Sequence, residues 1–173
     1  MNYYNPTSRS QPRSAQRLVR VLPVVLLLSV VSAKAADSST SRCHAFYGPF
    51  TSVVIVPPAC TSPVGLCTHG ILTGEFPANY DFTALTQTTD PSDPNVVTLT
   101  GTSIVTTAKG VIYTDDVSVI NFGTGDFVTK ALVNKTNLRE DSSGGFIAAG
   151  NLNLMTGQAI GNYSAVLCSR EDD

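Results

Sequence analysis

The sequence predicts an all-β protein: a closed antiparallel up-and-down barrel of about eight strands, with a two-sheet β-sandwich as the alternative. Three observations carry this. Short runs rich in valine and threonine recur at hairpin spacing, bounded by Gly, Pro, Asn or Asp, and no stretch offers an amphipathic helix of three turns. Glycines fall inside several runs, where a strongly curved sheet needs bends. Closure would also remove the exposed edges that make such strands prone to aggregate.

Residues 1–35 read as an export segment. Arg9, Arg13, Arg17 and Arg20 form a basic lead, residues 21–31 are largely apolar, and Ala33-Lys34-Ala35 supplies a small-x-small cleavage site before Ala36. The apolar run falls short of the roughly 20 residues a membrane-spanning helix needs. The competing reading is an uncleaved N-terminal anchor. Cleavage predicts a secreted, periplasmic or cell-surface protein without stable membrane association. Residues 36–63 then form an N-terminal loop and first strand, and residues 64–173 the barrel domain.

Loss of that segment changes the charge. Arg9, Arg13, Arg17, Arg20 and Lys34 are five of the eleven basic residues, so six remain against thirteen acids, a net charge of −7. Such a surface repels phosphate backbones, which argues against nucleic-acid partners.

Four cysteines remain, at 43, 60, 67 and 168, an even number suited to two disulfides in an oxidising compartment. Cys43–Cys60 with Cys67–Cys168 is the expected pairing, a local loop plus a long-range closure. A zinc site at Cys43-His44 and Cys67-x-His69 matches no standard ligand spacing, so no metal is expected.

Along the chain, residues 36–50 read as a loop held by Cys43, with Gly48-Pro49 as a turn signal. Residues 51–56 are an unbroken β-branched run stopped by Pro57-Pro58. Residues 65–74 (GLCTHGILTG) would start the barrel beside its last strand, residues 158–168. Between them lie strand candidates at 79–86, 96–105, 111–113, 117–122, 127–133 and 146–154. Asp115-Asp116 reads as a hairpin tip or bulge, residues 134–143 as an exposed loop, and residues 170–173 as a solvated tail.

Candidate chemistry is sparse. Glu75, Asp81 and Asp115/Asp116 are the acids nearest strand-like runs, and a carboxylate enclosed by an apolar barrel would act as general acid or base. The plainer reading places each at a solvated strand end. Tyr80, Tyr113 and Tyr163 would line a cavity or fill the core. His69 is one of two histidines and suits a structural role as well as a catalytic one. Glu75, Asp81, Tyr80 and His69 are the catalytic candidates. No Gly-x-Ser-x-Gly elbow occurs, and Gly123-Thr124-Gly125 lacks the lysine of a phosphate loop. Asn134-Lys135-Thr136 and Asn162-Tyr163-Ser164 match the glycosylation sequon; Asn134 would serve only in a eukaryotic source.

The runs Leu66-Cys67-Thr68-His69-Gly70-Ile71-Leu72-Thr73-Gly74, Gly123-Thr124-Gly125-Asp126-Phe127 and Thr156-Gly157-Gln158-Ala159-Ile160-Gly161-Asn162-Tyr163-Ser164 resemble small secreted bacterial proteins with an allene-oxide-cyclase-like, dirigent-like barrel. The resemblance spans residues 64–168 and rests on Gly and Thr punctuation rather than a catalytic signature. It implies an eight-stranded barrel that takes hydrophobic small molecules without a cofactor, and it carries over no catalytic residue. The functional expectation is a non-catalytic barrel binding an apolar small molecule or a partner protein. The alternative is a cofactor-free cyclase or isomerase that holds a flexible substrate in a reactive shape.

Overall fold

The computed structural model describes residues 41–138 and 143–170; the expected export segment and the C-terminal tail beyond Arg170 lie outside them. Eight strands run in chain order: β1 (Ser41–Ile55), β2 (Cys67–Leu72), β3 (Ala78–Thr89), β4 (Val96–Thr107), β5 (Gly110–Asn121), β6 (Asp126–Thr136), β7 (Ser143–Asn153) and β8 (Gln158–Arg170). Each pairs antiparallel with the next, and β8 returns to β1. The fold is a closed eight-stranded up-and-down barrel, not a sandwich.

Alternation decides which side chains enter the barrel. On β5, Ile112, Thr114, Asp116, Ser118 and Ile120 are buried, while Tyr113, Asp115, Val117 and Val119 are exposed. On β4, Val97, Leu99, Gly101, Ser103 and Val105 take the inward places. Two inward glycines make room for aromatic rings of the neighbouring strand. A Cβ at Gly70 would run into the Tyr80 ring, and one at Gly101 into Thr83 and the Phe82 ring. Register shifts between Ala84 and Thr86 on β3, and beside Tyr113 and Thr114 on β5, bend the wall.

The barrel interior is apolar at both ends. Phe50, Leu72, Val105, Ile112, Phe146 and Tyr163 belong to a cluster toward the end that carries both termini of the barrel. Phe82, Ala84, Val97, Leu99 and Ile120 form a second cluster toward the opposite end.

Several expectations need correction. Residues 41–50 are strand rather than loop: β1 runs straight through Gly48-Pro49 and pairs with β8 from Ser41↔Arg170 to Val53↔Gln158. Gly48 serves close approach here, because a Cβ would strike the carbonyl of Thr73. The stretch at residues 65–74 therefore supplies the second strand, which pairs with β1 and β3 rather than with β8.

The disulfides change with it. They are Cys43–Cys168 and Cys60–Cys67. Cys67 sits opposite Ile55 at one end of the barrel, whereas Cys168 sits opposite Cys43 at the other end. A Cys67–Cys168 bond would have to cross the barrel's length. Asp115-Asp116 is neither tip nor bulge but mid-strand, paired with Thr102 and Gly101 on β4. Residues 134–136 belong to β6, so Asn134 lies on a strand.

Candidate functional site

Between the two apolar clusters the lumen holds a cavity of about 120 Å³. Its walls are mostly apolar, with Phe50, Phe82, Leu99 and Phe127 among them. Phe50 meets Tyr80 and Phe127 edge-on, with ring centroids 6.4 and 6.0 Å apart. Set into this lining are Ser103 on β4, Thr114, Asp116 and Ser118 on β5, and Thr129 on β6.

Asp116 is 4% exposed. Its two carboxyl oxygens are taken by two hydroxyls: Thr114 Oγ1 donates to Oδ1 at 2.5 Å, and Ser103 Oγ donates to Oδ2. Both partners follow from strand geometry. Thr114 is two residues back on the same face, and Ser103 is the cross-strand partner of Thr114. Burial raises the Asp116 pKa above the ordinary carboxylate range, against the opposing pull of the Ser103 and Thr114 hydrogen bonds; the neighbouring Asp115 charge raises it further. Ser118 and Thr129 pair their hydroxyls directly across β5 and β6.

Tyr80 lines the same cavity from β3. Burial raises its phenol pKa, while a hydrogen bond with Ser52 lowers it, so the phenol enters the lumen as a neutral group. Tyr163 is spent on the fold: its hydroxyl accepts from Phe76 N at 3.0 Å and faces the carbonyls of Thr73 at 2.9 Å and Phe76 at 3.2 Å, pinning the β2–β3 turn. The lumen thus offers one protonatable carboxyl, one phenol and several hydroxyls. It holds a group able to give or take a proton.

Of the four catalytic candidates, only Tyr80 reaches this cavity. His69 and Asp81 face outward, 47% and 58% exposed, and join through Nδ1 and Oδ1 at 2.7 Å. They are cross-strand partners on β2 and β3, a surface pair. Glu75 lies in the β2–β3 turn, where its Oε2 accepts from the backbone N–H of Tyr47 at 2.9 Å. Tyr113 points outward. Asp115 also lies outside and accepts from Asn134 Nδ2 at 2.8 Å, which ties up the sequon asparagine. Asp116 alone of the acids noted in the sequence enters the barrel. The signal was the register of residues 112–120, Ile-x-Thr-x-Asp-x-Ser-x-Ile, which places Asp116 on the face of two isoleucines.

Comparison with known proteins finds no matching family model, no matching curated protein and no matching solved structure.

Proposed function

We propose that this chain is an exported barrel that takes a small, mainly apolar molecule bearing one hydrogen-bonding group into its lumen, without a cofactor. The observation that carries the reading is Asp116, a carboxyl held between two hydroxyls on the wall of a mostly apolar cavity. Burying a carboxyl costs stability that hydrogen bonds offset only in part, and a core of apolar residues would have closed the barrel at lower cost. A cavity of about 150 Å³ suffices to admit benzene. The lumen, at about 120 Å³, is of the same order and suits at most a compact ring, or the end of a longer molecule. Kinship with allene-oxide-cyclase-like and dirigent-like barrels belongs to the same proposal, as does export, which the basic-apolar leader and the two disulfides support.

Binding without turnover is the primary reading, since among the described residues no His, Lys or Cys lines the lumen and the hydroxyls that meet Asp116 serve to hold its carboxyl. One observation favours isomerase or cyclase chemistry as a second: a carboxyl with a raised pKa keeps its proton to higher pH than an exposed aspartate and can deliver it to an enclosed substrate. A protein partner would instead use the outer face, and nothing about the cavity calls for one.

The test is a titration with cyclohexanone, followed by backbone amide NMR, beside mass spectrometry of what the protein carries when purified from its source. Shifts should concentrate at Leu99, Ser118 and Ala131 and vanish in the lumen-filling variant Ala131→Leu. Shifts confined to outward residues such as Val117 and Val128 would overturn the proposal.

A further inference from the structure

The Ser103 and Thr114 hydroxyls each have one hydrogen, and both hydrogens point at Asp116. With the carboxylate ionised, that hydrogen-bonding cluster turns only lone pairs toward the cavity. It can accept from a ligand but has no hydrogen to give. Protonation reverses this. The new carboxyl O–H either points into the lumen, which Asp116 itself lines, or donates to one of the two hydroxyl oxygens already in contact. A hydroxyl that receives that bond has its own hydrogen displaced and turns it into the lumen. No atom moves further than a hydroxyl rotation.

Resting on the lumen-binding reading above, we infer that Asp116, Ser103 and Thr114 form a proton-operated selector. The ionised site takes a neutral ligand that donates a hydrogen bond, such as an alcohol. The protonated site takes one that only accepts, such as a ketone. The ligand class is neutral in both states, because among the described residues no Lys, Arg or His lines the cavity to receive a carboxylate. The groups that share the field with Asp116 are few. From β4 and β6 no titratable side chain faces it; Tyr80 on β3 brings its phenol to the cavity, Tyr163 on β8 keeps its hydroxyl on Thr73 and Phe76, and Asp115 beside it in sequence faces outward. The switch thus belongs to one carboxyl. Its placement above the ordinary aspartate range follows from burial.

Cyclohexanol and cyclohexanone differ in this one respect and stay neutral across the pH range. Their affinities are to be measured by NMR titration on the intact protein from neutral pH downward, with the Asp116 carboxyl carbon followed in parallel. The ketone-to-alcohol affinity ratio should rise about tenfold through the Asp116 titration, the size expected when one buried hydrogen bond is made rather than left unsatisfied. In Asp116→Asn the ratio should be flat with pH, since an amide always offers both donor and acceptor. A ratio that stays constant in the wild-type protein while both probes enter the lumen overturns the selector and leaves the binding reading intact. If neither probe enters at any pH, both fall together.

Discussion

Cys43 and Cys168 stand directly opposite one another on β1 and β8, and their disulfide fastens the seam where the last strand meets the first. The two cysteines are 125 residues apart in sequence. Cys60 and Cys67 are separated by only 7 and tie the β1–β2 connection to the start of β2. On chain-entropy grounds the first bond stabilises by about 5 kcal/mol and the second by about 2.5 kcal/mol. Denaturant unfolding of Cys43→Ala/Cys168→Ala should therefore show the larger loss, about twice that of Cys60→Ala/Cys67→Ala. Equal losses, or the reverse order, would mean that the seam is held by strand pairing rather than by the covalent clamp.

Much of this barrel was legible because period-two alternation and glycine punctuation are local signals. β4, β5 and β6 announce themselves in VVTLTGTSIV, VSVINF and FVTKALV, where each β-branched run needs only its neighbours to be read. β1 was not legible over its first half. Gly48-Pro49 carries the local chemistry of a turn, yet the residues that override it, Thr73 and the whole of β8, are distant in sequence. That single omission also mispaired the cysteines, since pairing depends on which strand closes the seam.

The site was harder to read for the same reason. Asp115 and Asp116 are chemically identical in sequence, and only the register of β5 sends one outside to Asn134 and the other inside to Ser103. His69 and Asp81 looked equally functional, but their parity on β2 and β3 puts them on the outer wall. Which face of a strand is inside is a property of the closed barrel, so face assignment waits on topology.

Tyr163 supplies a second prediction. It is 3% exposed, and its hydroxyl is the shared partner of Thr73 and Phe76, about ninety positions earlier in the chain. Tyr163→Phe keeps the ring and removes the pin, leaving the Phe76 N–H without this acceptor. The expected cost is about 1–3 kcal/mol, the range for a buried polar group left unpaired. Hydrogen exchange at Phe76 should quicken more than exchange in β4 or β5. Uniform quickening through the barrel would show instead that Tyr163 acts through general packing.

Asp116 gives the third, through pH. Its folded pKa is raised, so across the interval between the ordinary aspartate pKa and that raised value the folded chain binds more protons than the unfolded one. Stability from this group is then fully present at low pH and is lost as pH climbs through the folded pKa, above which the cost of the buried charge persists. Asp90 and Asp126 run the other way: hydrogen bonds from Ser92, and from Asn151 and Thr124, lower their pKa values, so their contributions are present above the unfolded pKa and lost as pH falls through the folded one. The overall profile mixes both signs, but a comparison with Asp116→Asn isolates one. The stability of wild type relative to the variant should increase as pH falls from neutral through the Asp116 titration, because only the wild-type side chain gains a proton there. Parallel pH profiles for the two proteins would show that Asp116 titrates as it does in the unfolded chain, and the lumen would then hold an ordinary carboxylate rather than a proton donor.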